Sequence, residues 1–193
     1  MSLNIRLVVG LGNPGERYRN TWHNLGAMVV SELAKRTLVS LKPGKGEYIG
    51  AEASIGCRSV MLMTPTSYMN RSGGPVVAWM RYYKATSEEV LVIHDDHDLP
   101  LGRLRIRSEG SPGGHRGMED IIRMVGVDKI PRLKIGIRTD REAVSLADQV
   151  LAPIPKADAA AVERIIVAAS DAAIAIIQNG LAATMNFYNG AEF

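Results

Sequence analysis

A short apolar run, Leu7-Val8-Val9, passes directly into Gly10-Leu11-Gly12-Asn13-Pro14-Gly15. This is the pattern of a buried strand that stops at a tight glycine-rich turn. The turn presents one amide side chain, Asn13. Eight residues beyond Gly15, at Trp22-His23-Asn24, a helix is expected to begin beside a single imidazole, His23. A neutral hydrogen-bonding group and a potential general base then share one edge of a sheet. Ligands of open α/β sheets collect at such carboxyl ends of strands.

A nucleotide fold is the first alternative for such a turn, and the residues argue against it. Pro14 removes a backbone N–H that a phosphate would need. No Walker-type Gly-Lys-Ser/Thr occurs in the chain.

The 193 residues suit one domain, 1–193. Hydrophobic residues make up 46%, enough for a core, while aromatics are only 5%, so that core is built from Val, Ile, Leu, Ala and Met. The lone cysteine, Cys57, excludes an internal disulfide and fits a reducing compartment. It is expected in a hairpin turn beside Gly56, as a bystander. No signal peptide is visible, and no apolar run reaches the length of about 18 residues expected of a membrane span. The expected location is the cytoplasm.

Charge is unevenly spread. Residues 102–141 carry ten Lys/Arg against five acids, whereas residues 142–193 carry two against six. That asymmetry suggests a polyanionic partner for one face, with a solvated strand face as the plain alternative.

Strands are expected at 5–11, 47–56, 58–64, 90–94, 102–108 and 132–137. Arg103, Arg105 and Arg107 alternate with Leu104 and Ile106, so one face is apolar and the other presents three guanidinium groups. Helices are expected at about 23–38, 75–84, 115–125 and 156–179. Gly180 is a natural stop, which leaves Met185 and Asn186 in a C-terminal tail. Strands mixed with helices predict an α/β sandwich. Residues 108–117, with glycines at 110, 113, 114 and 117, are expected to form a mobile loop.

Polar groups cluster at the ends of the apolar strands. Thr64–Asn70 follows one strand, and His94-Asp95-Asp96-His97-Asp98 follows another. His115 and Arg116 lie in the loop. The His94–Asp98 cluster suggests zinc or manganese. In an extended segment, however, its ligands alternate between two faces, and no face holds a full set. A carboxylate here is better used to fix the tautomer of a histidine. No G-x-S-x-G elbow is present. A histidine base, an aspartate orienter and asparagine amides holding a carbonyl suit attack of water on an ester, without a covalent intermediate.

Together these stretches resemble bacterial-type peptidyl-tRNA hydrolase. The resemblance spans nearly the whole chain: VVGLGNPGERYRNTWHNLGA, PTSYMNRSG, HDDHDLPLGRLRIR, GGHRGMEDII, RLKIGI and GLAATMNFYN occur in order. It implies a single-domain, monomeric α/β protein with a mixed twisted β-sheet flanked by helices. It implies cleavage of the ester between a peptide and the 3′-terminal ribose of tRNA, with no metal and no cofactor. The partner is peptidyl-tRNA, held at its acceptor end and 5′-phosphate region. By position, His23 would activate water and Asp95 would orient it. Asn13 would separate blocked from free aminoacyl groups, and Asn70 would hold the substrate. Tyr18, Tyr68 and Met69 would line the site, and His115 would belong to a gate loop. Arg107 and Lys134 would clamp the 5′-phosphate.

The chain departs from the family pattern at Arg116, where the usual loop GGHNG has asparagine. Arginine has no acceptor and is permanently charged, but it can still pair with a phosphate. His97 in place of the usual leucine and Trp22 in place of a smaller or basic residue are lesser departures. Two other readings stay open: a non-catalytic RNA-binding relative, and a metal-dependent hydrolase built on His94 and His97.

Overall fold

The computed structural model describes residues 4–139 and 146–193. Asp140, Arg141 and Glu142, which enter the charge asymmetry, lie outside the described residues. Seven strands form one mixed sheet: β1 Leu7–Gly10, β2 Lys42–Pro43, β3 Tyr48–Ile55, β4 Arg58–Pro65, β5 Val90–Pro100, β6 Leu104–Arg107 and β7 Arg132–Arg138. The order across the sheet is β2-β3-β4-β1-β5-β7-β6. The central strands β4, β1, β5 and β7 are parallel, and antiparallel pairs close both edges. Among the described residues the helices are α1 Leu25–Arg36, α2 Gly73–Tyr83, α3 Arg116–Val125, α4 Leu146–Leu151, α5 Ala159–Asn179 and α6 Leu181–Tyr188.

The parallel strands need cover on both faces, and two clusters of buried side chains supply it. On one face Val8, Leu91, Ile93 and Leu133 pack against Leu25, Val29 and Leu33 of α1 and against Ile165, Ala169 and Ile176 of α5. On the other, Leu7, Val9 and Val92 meet Val76 and Trp79 of α2 and Met118 and Ile121 of α3. The α/β reading is therefore borne out, as are the six expected strands and four expected helices, within a few residues at their ends save the far end of β5.

Three elements were not legible. The edge strand β2 is two residues long. Helix α4 follows the segment outside the described residues. Gly180 does stop α5, at φ 89°, but the chain turns there into α6 rather than into an irregular tail. Met185 and Tyr188 of α6 pack against the first cluster.

Strand β5 also runs past its expected end at His94. Asp95 and Asp96 read as loop residues, yet they pair with Ile135 and Gly136 of β7 before the register shifts between Asp96 and Pro100. This places the site, because β1 ends at Gly10 opposite Ile93. The polar part of β5 thus stands beyond its neighbour β1, at the carboxyl end of the parallel strands.

Gly10, Gly12 and Gly15 have the G-x-G-x-x-G spacing of a dinucleotide turn. A dinucleotide turn opens directly into a helix. Here two 3-10 turns, Glu16–Tyr18 and Trp22–Asn24, follow, and α1 starts only at Leu25. A Cβ on Gly10 or on Gly26 would strike backbone, since α1 crosses the turn at van der Waals distance. The Ala27 N–H donates to Leu11 O at 3.0 Å. These glycines serve helix–strand contact, and the contact lowers the Trp22–Asn24 turn onto the strand ends.

Candidate active site

Three strand ends and the start of α3 deliver the site. Asn13 follows β1. Its backbone is clamped by Asn24, whose Oδ1 accepts from Asn13 N at 2.9 Å and whose Nδ2 donates to Asn13 O at 3.0 Å. Asn24 carries no mark in the sequence that would single it out. Asn13 Oδ1 then accepts from the backbone N–H of Met69 at 2.8 Å. With its oxygen bonded to Met69 N–H, the Asn13 side chain has its Nδ2 N–H donors without a partner among the described residues. Met69 and Asn70 sit in a 3-10 turn, Met69–Arg71, after β4. Buried Asp120 of α3 seats that turn by accepting from Gly73 N at 2.8 Å, the first residue of α2.

At the centre lies Asp95, 3% exposed, with His23 and His115 each 7% exposed. His23 Nδ1 lies 2.9 and 3.0 Å from the two Asp95 oxygens, and His115 Nε2 lies 3.0 Å from Oδ1. The Met118 N–H donates to His115 Nδ1 at 3.2 Å, so His115 is the N-cap of α3. That bond decides the tautomer: Nδ1 accepts, so the proton sits on Nε2 and points at Asp95. Asp95 therefore receives two ring N–H groups. This leaves the Nε2 lone pair of His23 as the unused basic atom of the cluster.

Burial alone would raise the Asp95 carboxyl, but the charges and hydrogen bonds of His115 and His23 outweigh it and hold it well below the usual carboxylate range. His94 packs on His115 with ring centroids 4.5 Å apart and donates Nδ1–H to Asp95 O at 2.6 Å. Burial first, and then the neighbouring His115, lower its pKa to about 3, so it is neutral at physiological pH.

The cleft over this cluster has a volume of about 650 Å³. The structure brings Asn13, His23, Asp95, Tyr18, Tyr68, Met69, Asn70, His115 and Arg116 to it. Tyr68 and Asn70 are exposed on the rim, and Met69 forms floor. Val150 and Leu151 of α4 add an apolar wall that the sequence did not indicate. Arg116 is exposed, without a hydrogen bond or ion pair among the described residues.

Arg107 and Lys134 are not part of the cleft lining. They lie on the β6–β7 edge, where Arg105 pairs with Lys134 and Arg107 with Arg132. Lys134 Nζ is held by Asp96 Oδ2 at 2.6 Å, while Arg107 is exposed. Of the three guanidinium groups expected on one face, Arg103 is instead bound to the C-terminal segment, to Gly190 O and Ala191 O at 3.3 Å and to Glu192 at 2.8 Å. Arg132 is buried and went unnoticed in the sequence. Its guanidinium donates to the carbonyls of Gly110, Ser111, Asp128 and Ile130 at 2.7–3.1 Å, pinning the start of the 108–117 loop.

His94 and His97 do not converge on a metal site: the only His/Cys/Asp/Glu trio close enough among the described residues is His23, Asp95 and His115. That trio suits protons better than a cation. A metal on His115 Nε2 would force the ring proton to Nδ1, against the Met118 N–H.

Residues 7–193 match the family model described as peptidyl-tRNA hydrolase. The chain is 39% identical over 186 residues to the peptidyl-tRNA hydrolase of Clostridium perfringens strain SM101, covering 96% of this chain and 98% of that one. It is 42% identical over 192 residues to that of Synechococcus sp. strain JA-3-3Ab, covering 98% and 84%. The crystal structure of peptidyl-tRNA hydrolase from Acinetobacter baumannii superposes with a TM-score of 0.92 at 33% identity, over 100% of this chain and 98% of that one. By the family-model match, the identities and the whole-chain superposition, the chain belongs to the peptidyl-tRNA hydrolase family.

Proposed function

We propose that this protein hydrolyses peptidyl-tRNA, cleaving the ester between the peptide and the 3′-terminal ribose and freeing the tRNA for reuse in translation. The observation that carries the reading is the His23–Asp95 pair at the floor of the cleft, with His23 Nε2 left free to take a proton. His23 removes a proton from water, and the oxygen adds to the ester carbonyl carbon. Asp95 stabilises the imidazolium that forms. The tetrahedral intermediate then collapses. The carbon–oxygen bond to the ribose breaks, and the departing 3′-oxygen takes the proton back from His23. No covalent enzyme intermediate is needed.

Asn13 presents N–H donors, which suit a carbonyl of the acylated amino group. A free α-ammonium has no acceptor to offer them, so blocked and unblocked aminoacyl groups are separated by hydrogen-bond polarity. Asn70 and Arg116 hold the substrate from the rim, and Tyr18, Tyr68 and Met69 surround the terminal nucleotide or peptide. The exposed Arg107 on the basic β6–β7 edge meets the 5′-phosphate region, with Lys134 beside it. The loop 108–117 acts as the gate over this single catalytic domain. No described helix is long and apolar enough to cross a membrane. A monomer working in the cytoplasm, where the substrate is made, fits these features.

The test is hydrolysis of N-blocked aminoacyl-tRNA, with unblocked aminoacyl-tRNA as control. His23→Ala is expected to lower kcat by about 100-fold or more, the usual worth of a general base. Tight tRNA binding without turnover in the wild type would move the reading to the non-catalytic RNA-binding relative.

A further inference from the structure

We propose that His115 is a positioning residue that competes with His23 for Asp95 and so sets how strongly His23 holds its proton. The inference rests on the hydrolase reading for its consequence, but not for its geometry. His115 was expected to face the substrate from a gate loop. Both of its ring nitrogens are instead engaged inside the protein, Nδ1 by Met118 N–H and Nε2 by Asp95 Oδ1. At 7% exposure it has no ring nitrogen left for a ligand.

Asp95 Oδ1 is shared: His23 Nδ1 approaches it at 2.9 Å and His115 Nε2 at 3.0 Å. A carboxylate that already accepts one N–H has less charge to offer a second. His115, by donating Nε2–H to Oδ1, therefore draws off part of the negative charge that would otherwise stabilise a protonated His23. The effect keeps His23 unprotonated, and hence a competent base, to lower pH.

Among the described residues no side chain other than His23 and His115 hydrogen-bonds the Asp95 carboxylate, and His97 of β5 lies 3.4 Å from Asp98. His94, on β5, reaches the cluster through the His115 ring and its own bond to the Asp95 carbonyl. Asp96 and Lys134, from β5 and β7, neutralise each other. Arg116, at the start of α3, is exposed. Tyr18 lines the cleft, and α4 brings Val150 and Leu151 there, while its Asp148 is exposed.

His115→Asn separates the two bonds. Asparagine is a good N-cap, so the bond to Met118 survives, while the shorter side chain falls short of Asp95. His115→Gln is the converse, restoring an N–H at nearly the reach of the imidazole Nε2. The measurements are an NMR titration of the His23 ring and kcat/KM against pH. In His115→Asn the His23 titration and the acid limb of kcat/KM should both move to higher pH. Activity near pH 6 would then fall several-fold relative to activity near pH 8, because a larger share of a titrating imidazole is protonated there. His115→Gln should move both back towards wild type.

An unmoved His23 titration in a folded His115→Asn variant would overturn the proposal, as would equal loss of activity at all pH values. If His115→Asn fails to fold, His115→Gln alone decides: a titration matching wild type supports the proposal, and one displaced to higher pH refutes it. If the wild type shows no turnover, the hydrolase reading fails, whereas the NMR titration still tests His115.

Discussion

Arg116 shows what one substitution does to a site whose other parts are intact. The side chain stands at the first residue of α3, exposed on the cleft rim and without a hydrogen bond or ion pair among the described residues. A cation at a helix N-terminus opposes the macrodipole, at a cost of about 0.3–1 kcal/mol. An anionic partner would offset that cost, and the substrate backbone provides one. Arg116→Asn is expected to raise KM a few-fold at low salt and to flatten the dependence of log KM on log salt by about one phosphate contact. KM measured across ionic strengths checks this, and an unchanged slope would sink it. Asn13 and Asp95 were legible as cleft residues because each follows an apolar run, and His23 because it is a lone imidazole beside an expected helix start. The sharing of Asp95 was not. His115 and Asp95 are 20 residues apart, and only the packing of α3 against the strand ends brings their side chains to 3.0 Å.

At the scale of elements, the edge strand β6 is covered by the residues that follow α6. An exposed edge leaves backbone groups unpaired and invites association. Here Asn189, just after α6, acts as a substitute strand: Ile106 N–H donates to its Oδ1 at 2.6 Å, and its Nδ2 donates to Ile106 O at 3.2 Å. Phe193 N–H donates to Gly102 O at 2.8 Å, and Arg103 binds Glu192. Asn189→Ala is expected to destabilise the fold by about 1–3 kcal/mol, the usual cost of leaving such groups unsatisfied. Urea unfolding would measure it, and an unshifted midpoint would show that the edge needs no cover. The sequence marked Gly180 as a helix end correctly. It did not reveal α6, because eight residues whose anchorage is mostly tertiary carry too weak a periodic signal. Strand β5 was cut short for the opposite reason: its last residues are polar, and polarity reads as loop unless the neighbouring strand is known.

For the molecule as a whole, the buried polar cluster links folding to pH. His94 titrates near 6.5 when unfolded but near 3 in the fold. Unfolding therefore takes up a proton anywhere between those values, and stability present above pH 6.5 is lost progressively as pH falls towards 3. Asp95, whose folded pKa is also lowered, adds its loss only below its ordinary value of 3.8. Urea midpoints should fall from pH 7 to pH 4 with a limiting slope of about 1.4 kcal/mol per pH unit for one group. His94→Gln should flatten that slope; an equal slope in the variant would remove His94 as its source. By itself the sequence determined the α/β class, the principal strands and helices and most of the polar residues that meet in the cleft. Apolar periodicity and residue chemistry are local properties, readable without the fold. Tertiary structure alone decided that His23 and His115 share the Asp95 carboxylate, that Lys134 is held by Asp96 and Arg132 by four carbonyls, and that the residues after α6 cover the β6 edge. Those outcomes depend on contacts between residues far apart in the chain, whose distances no local pattern encodes.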